Sequence, residues 1–306
     1  MCTWLAGCSF VPPPSHPRPA LPLLHPPASA GLVPVPELEC LVDHGGGRTT
    51  GMLAACGETV HFHRLVLPGA VAPRPIVLLV PILAGGDDLL EQIASRMFDR
   101  GFDVAYCARV GAAMKPPQRA PELDDLFRRT VLHQRILLAW LHDAEPRSAR
   151  YALGISMGGM VTTVLAALEP GLDGAAICLA GGDLAGIVQT SSEERVRSWV
   201  KWRQEADGVG MDHLGWELHE LLRHEPLAFA PSVDPAKILF VSAGFDSVVP
   251  PHNQDLLWEA LGRPARLTVP FGHYTAALAI DPILSAAAAH FRSRAPGPGS
   301  GVVAAP

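Results

Sequence analysis

The pentapeptide Gly154-Ile155-Ser156-Met157-Gly158 sets a serine between two glycines, each two positions away. A serine hydroxyl is a poor nucleophile until a base lies within hydrogen-bond reach, and that base needs a third group to hold its orientation. The flanking residues supply the steric context. "YALGI" reads as a strand and "MGGMVTTVLAAL" as a helix, so Ser156 falls at a strand-to-helix turn. At such a turn the residues two before and two after must be nearly free of side chains, or strand and helix collide. The turn lifts the hydroxyl above the sheet, and the helix N-terminus aims the Met157 amide at the place where an oxyanion would form. Two downstream segments offer the partners. "ILFVSAGFDSVVP" carries Asp246 just past an apolar strand, and "RLTVPFGHYTAAL" carries His273 just past the next. Both positions are C-terminal ends of parallel strands, the edge at which sites in open α/β sheets are built. Among the 13 histidines, His273 is singled out by this placement. His252 begins a helix instead, Asp234 precedes its strand, and Asp281 lies within the closing helix.

The elements that must position these residues alternate along the chain. "ELECLVDH" and "VHFHRLVLPG" read as strands around a Gly-rich turn. "RPIVLLVPIL" is the continuous apolar run of a strand covered on both faces. "GGDDLLEQIASRMFDRG" and "PELDDLFRRTVLHQRILLAWLHDA" carry apolar residues at helical spacing on either side of the strand "FDVAYCARV". After the serine come the strands "DGAAICLAG", "AKILFVSAG" and "ARLTVP", with a helix between the last two and a closing helix through "ALAIDPILSAAAAHFR". The class is α/β: a mostly parallel central sheet with helices on both faces. From about 184 to 232 the pattern is helical only, and it carries Trp199, Trp202 and Trp216. Residues 1–35 are proline-rich and are expected not to pack, as are residues 294–306; the folded domain is expected over 36–293.

The motifs "GISMGG", "GFDSVVP" and "FGHY", in this order, resemble the α/β-hydrolase superfamily over about Glu37 to Arg292. In that fold the nucleophile sits on an elbow and the triad runs Ser, acid, His along the chain. The resemblance implies Ser156 as nucleophile, Asp246 as orienter and His273 as base. It implies a second oxyanion donor from the loop after "RPIVLLVPIL". Many members carry a His-Gly pair there; this chain has Pro81-Ile82-Leu83-Ala84-Gly85-Gly86, so the donor is the amide of Leu83 or of Ile82. The helical insertion at 184–232 corresponds to a cap, whose tryptophans either line an acyl pocket or pack the cap onto the body. Separately, Leu5-Ala6-Gly7-Cys8 resembles a bacterial lipobox, although no charged segment or full apolar segment precedes it. If the lipobox is real, Cys8 is acylated, the following proline-rich run is a tether, and the protein is held at the cell envelope; otherwise it is cytoplasmic.

The expected function is hydrolysis of a small-molecule carboxylic ester through an acyl-enzyme. The alternatives are acyl transfer or peptide cleavage at the same site, and a silent binding protein of the same fold. A net charge of −6, with no run of Lys or Arg, speaks against a nucleic-acid partner. No metal or cofactor is expected: no Cys/His cluster has zinc spacing, and the histidines of "HELLRH" are i, i+5 rather than i, i+4. Cys107 and Cys178 read as buried small hydrophobes, and Cys40 and Cys56 as either a pair or two free thiols.

Overall fold

Five consecutive apolar side chains, Ile76–Val80, form β5, and every one is buried. Such a strand needs cover on both faces, and the rest of the chain provides it. The computed structural model describes residues 9–11, 31–82 and 87–294. The strands are β1 (Ser9–Val11), β2 (Glu37–Asp43), β3 (Arg48–Ala55), β4 (Glu58–Leu65), β5, β6 (Asp103–Cys107), β7 (Arg150–Ile155), β8 (Gly174–Cys178), β9 (Ile238–Ala243) and β10 (Ala265–Val269). They form one sheet in the order β1-β10-β9-β8-β7-β5-β6-β4-β3-β2. From β6 to β10 all neighbours are parallel. β4, β3 and β2 extend one edge antiparallel, and β1 caps the other. β5 feeds β6 on one side while β7 returns to its other side, so the strand order reverses there. The crevice above the β5 and β7 ends is where a ligand site is expected in an open α/β sheet.

Helices cover both faces. α1 (Asp87–Asp99) and α9 (Ile280–Arg292) bury Ile93, Met97, Ile283 and Leu284 against one. α2 (Ala120–Ala144), α3 (Met157–Leu168) and α8 (Pro251–Ala260) bury Ile136, Leu141, Val161, Val164 and Leu257 against the other. Between β8 and β9 the chain makes α4 (Leu184–Thr190), α5 (Glu194–Asp207), α6 (Met211–Leu221) and α7 (Pro226–Phe229) without a strand. These pack around a core of their own that includes Trp199, Leu214 and Leu218 and rests on Ala120 and Leu123 of α2.

The structure departs from the sequence reading at the N-terminal edge. Two strands were expected before β5 and three are present, because "RTTGMLAA" is β3 rather than turn. The turn is confined to Gly45–Gly47, all at positive φ. A second turn at Cys56 and Gly57, both at positive φ, joins β3 to β4 in the twist a two-residue hairpin requires. Ser9–Val11 lies within the stretch expected not to pack, yet it pairs with Arg266–Thr268 of β10. An open sheet edge offers unpaired N–H and C=O groups, and any extended segment can take them. Cys8 lies outside the described residues. Cys40 and Cys56 are free. Cys40 stands opposite Met52, four residues from Cys56, roughly 13 Å along a strand.

Candidate active site

β7 ends at Ile155 and α3 begins at Met157, leaving Ser156 alone at the turn with φ 58° and ψ −125°. A residue with a side chain rarely adopts this conformation, and holding it costs about 1–3 kcal/mol. The flanking glycines are required by close approach. A Cβ on Gly154 would lie 2.1 Å from the Gly158 carbonyl oxygen, and one on Gly158 would lie 2.6 Å from the Val80 carbonyl oxygen at the end of β5. The Ser156 amide donates to the Cys178 carbonyl at 2.8 Å, tying the turn to β8. The first amides of α3, that of Met157 among them, have no acceptor within the helix and stand at its positive end.

His273 follows β10 on a short loop, with its Nε2 2.9 Å from Ser156 Oγ. Its Nδ1 lies 2.7 Å from Asp246 Oδ2. The Asp246 side chain is fully buried and accepts from three further donors. Oδ1 takes the amides of Val248 and Val249 at 2.8 and 2.9 Å, and Oδ2 takes Gln254 Nε2 at 3.3 Å. The carboxylate is therefore fixed as an acceptor, so the imidazole presents Nδ1–H to it and a lone pair on Nε2 to the serine. The structure thus brings Ser156, Asp246 and His273 together in one hydrogen-bonded chain. Met157 adjoins it. Leu83 lies outside the described residues; Ile82, the last residue described before it, lines the cavity above Ser156.

No family model matches the chain. An uncharacterized protein of Mycobacterium tuberculosis (strain H37Rv) is 28% identical over 162 residues, 49% of this chain and 35% of the relative. The chain therefore spans about a third of the length of that curated relative. Acetyl xylan esterase 1 from Thermoanaerobacterium sp. superposes with a TM-score of 0.60 at 16% identity, covering 82% of this chain and 88% of that one. A cold-adapted esterase from an Arctic intertidal metagenomic library superposes with a TM-score of 0.56 at 15% identity, covering 82% and 96%.

The chain has the α/β-hydrolase fold.

On this α/β-hydrolase sheet, two cavities meet at the serine. The larger, about 390 Å³, runs between α1, the His273 loop and the start of α9; Leu89, Ile93, His273, Tyr274 and Ile280 line it. The smaller, about 110 Å³, lies under α4 and α5 against α3. Ser156, Glu193 and Val248 border both. Cys178 lines the larger one, but burial pushes its thiol up to about 12, so it offers no thiolate beside the serine.

Sequence reasoning did not reach Glu193. This residue precedes α5 and accepts a hydrogen bond from the Tyr274 hydroxyl, joining the cap to the loop that carries His273. A lone glutamate before a helix carries no signal of such a role. Two of the three cap tryptophans, Trp199 and Trp202, are packing residues. Trp199 is fully buried with its indole N–H donated to the Gln118 carbonyl at 2.8 Å, Trp202 lies under the Arg119 guanidinium, and Trp216 is exposed. Among the described residues lining the two cavities there is no tryptophan.

Charged groups fasten the cap. Buried Arg203 bonds Asp207 and Glu217, and Asp207 also takes Arg119 at 2.7 Å. His224, the second histidine of "HELLRH", lies past the end of α6 and is bonded to Asp124 of α2 at 3.0 Å. Glu225 receives the amides of Asp183, Leu184 and Leu227, joining the cap's entry to its exit. Burial outweighs those three donors and raises the Glu225 carboxyl to about 7. Among the described residues no cluster of three His, Cys, Asp or Glu could hold a metal ion.

Proposed function

We propose that the chain is a serine hydrolase that cleaves a small-molecule carboxylic ester through an acyl-enzyme. The observation that carries this reading is the Ser156–His273–Asp246 chain, with 2.9 and 2.7 Å links, at a strained turn that opens on two cavities. Ser156 Oγ attacks the acyl carbonyl as His273 Nε2 takes its proton. Asp246 keeps the imidazole in the required tautomer and offsets the positive charge it gains. The Met157 amide and an amide of the loop after β5, that of Leu83, receive the oxyanion. His273 then protonates the departing alkoxide, and collapse of the tetrahedral intermediate leaves the acyl group on Ser156. Water, deprotonated by the same imidazole, attacks that ester, and the acid leaves with Ser156 restored.

A fluorophosphonate probe tests the nucleophile in the folded protein. The expected result is a single adduct on Ser156, blocked by prior heating. Ser156→Ala should lose labelling and reduce hydrolysis of p-nitrophenyl acetate to background while its unfolding temperature stays near the parent's. A variant as active as the parent refutes the assignment, and a folded parent that neither labels nor turns over would make the chain a binding protein on this fold.

A further inference from the structure

The two cavities are unequal in size and in chemistry, and His273 distinguishes them. It lines the larger cavity and not the smaller. The group that receives a proton from His273 Nε2 is the leaving oxygen, so the leaving alcohol must lie on the His273 side. The acyl chain is left with the smaller cavity, whose walls are side chains such as Met160 and Val161 of α3, Ile187 and Val188 of α4 and Val196 of α5. The polar side chains that reach this wall are already engaged. Asp124 holds His224, Thr130 donates to the Leu126 carbonyl, the Ser191 hydroxyl accepts the Glu193 amide, and the Glu193 carboxylate, at the mouth beside the serine, accepts from the Tyr274 hydroxyl. A polar acyl substituent would find no ready partner there.

Volume sets the limit. A dry cavity of about 150 Å³ takes up one benzene, so by the same measure 110 Å³ accommodates roughly four carbons beyond the carbonyl. The cap cannot give way freely, because it is fastened through Asp124–His224 and through Arg203, Asp207 and Arg119. On the ester-hydrolase reading given above, we propose that the narrow α4–α5 side of the site is the acyl subsite and selects short, unsubstituted aliphatic acids, while the larger cavity admits bulky alcohols.

The test measures kcat/KM for p-nitrophenyl esters from acetate to decanoate, and for acetates of alcohols of increasing size. For the parent, the value should rise about fourfold per added methylene, the worth of about 0.8 kcal/mol of burial. It should turn over near pentanoate or hexanoate and fall at least tenfold by decanoate, with little penalty for a large alcohol. Val188→Phe should lower the hexanoate-to-acetate ratio at least tenfold and leave the ranking of alcohols alone. Ile187→Ala should move the acyl optimum up by one or two carbons. Ala277→Phe, in the larger cavity, should change the alcohol ranking instead. A parent profile flat to decanoate, or a Val188→Phe variant that slows every acyl length in proportion, overturns the acyl assignment while the hydrolase reading stands. Acyl selectivity that follows Ala277→Phe reverses the two subsites and overturns it equally. Failure of the parent to hydrolyse any ester or to take the fluorophosphonate removes both readings together.

Discussion

Replacing Asp246 by asparagine isolates what the buried carboxylate does. Asparagine has nearly the same shape, but one carboxylate oxygen becomes a donor. Two orientations exist. If the amide nitrogen took the Oδ1 position it would face the amides of Val248 and Val249, two donors at 2.8 and 2.9 Å. If it takes the Oδ2 position it faces Gln254 Nε2, one donor at 3.3 Å, and His273 Nδ1 at 2.7 Å, which can lose its hydrogen and accept. The second orientation therefore wins, and it inverts the imidazole tautomer. Nε2 then carries the hydrogen and can no longer take the proton of Ser156. The loss in kcat should be about 10⁴-fold, the size known for this change in a serine protease, or roughly 5 kcal/mol of transition-state stabilisation. Stability should fall far less, by about 1–3 kcal/mol for the one opposed donor pair left inside. Steady-state hydrolysis of p-nitrophenyl acetate measures the first quantity and urea unfolding the second. A variant within tenfold of the parent would show that Asp246 does not set the tautomer. A variant that unfolds outright would show that the carboxylate is structural first.

Two further outcomes follow from the same geometry. Gly158→Ala drives a Cβ to 2.6 Å from the Val80 carbonyl oxygen and 2.9 Å from that of Pro81. It should cost about 1–3 kcal/mol in thermal unfolding and at least about 10²-fold in kcat/KM by displacing Ser156 from the β5 loop; unchanged kinetics would refute the close-approach argument. The Glu225 carboxyl is raised to about 7 from its ordinary 4.5, so the folded chain holds that proton more tightly than the unfolded chain. The stability seen at acid pH is therefore lost as pH rises from about 4.5 to about 7, by up to about 3 kcal/mol. Glu225→Gln should flatten that part of the profile in urea unfolding, and an unaltered slope would refute it.

The parts of the site that sequence made legible are those with local steric requirements. Ser156 needs glycines at fixed offsets, and Asp246 and His273 each follow an apolar strand in a sheet whose parallel order the chain pattern already implied. β3 was hidden because Gly51 reads as a turn residue. In the sheet it is a strand glycine, where a Cβ would meet the Phe62 ring at 2.6 Å. The tryptophans were ambiguous because a cap core and an acyl pocket are both apolar, and only the packing of Trp199 against Gln118 decides between them. Glu193 was invisible because its significance lies in Tyr274, 81 residues away.

Sheet order explains how distant residues meet, but alone it leaves them too far apart. Ser156 and His273 are 117 positions apart in sequence and stand at the ends of β7 and β10, with β8 and β9 between. Three strand spacings are about 14 Å, well beyond hydrogen-bond reach. The loops after β9 and β10 must therefore lean back across the sheet edge together. They are knitted by Gly244 N–H to the Val269 carbonyl at 2.9 Å and Phe245 N–H to the Phe271 carbonyl at 3.0 Å. Gly272 passes so close that a Cβ would lie 3.0 Å from the Phe245 carbonyl oxygen. Asp246 is then locked from beneath by Val248, Val249 and Gln254 of the following turn and helix. The reach of His273 is thus set by two loops acting as one body. Bulk added at Gly272 should part Nε2 from Ser156 without touching either residue.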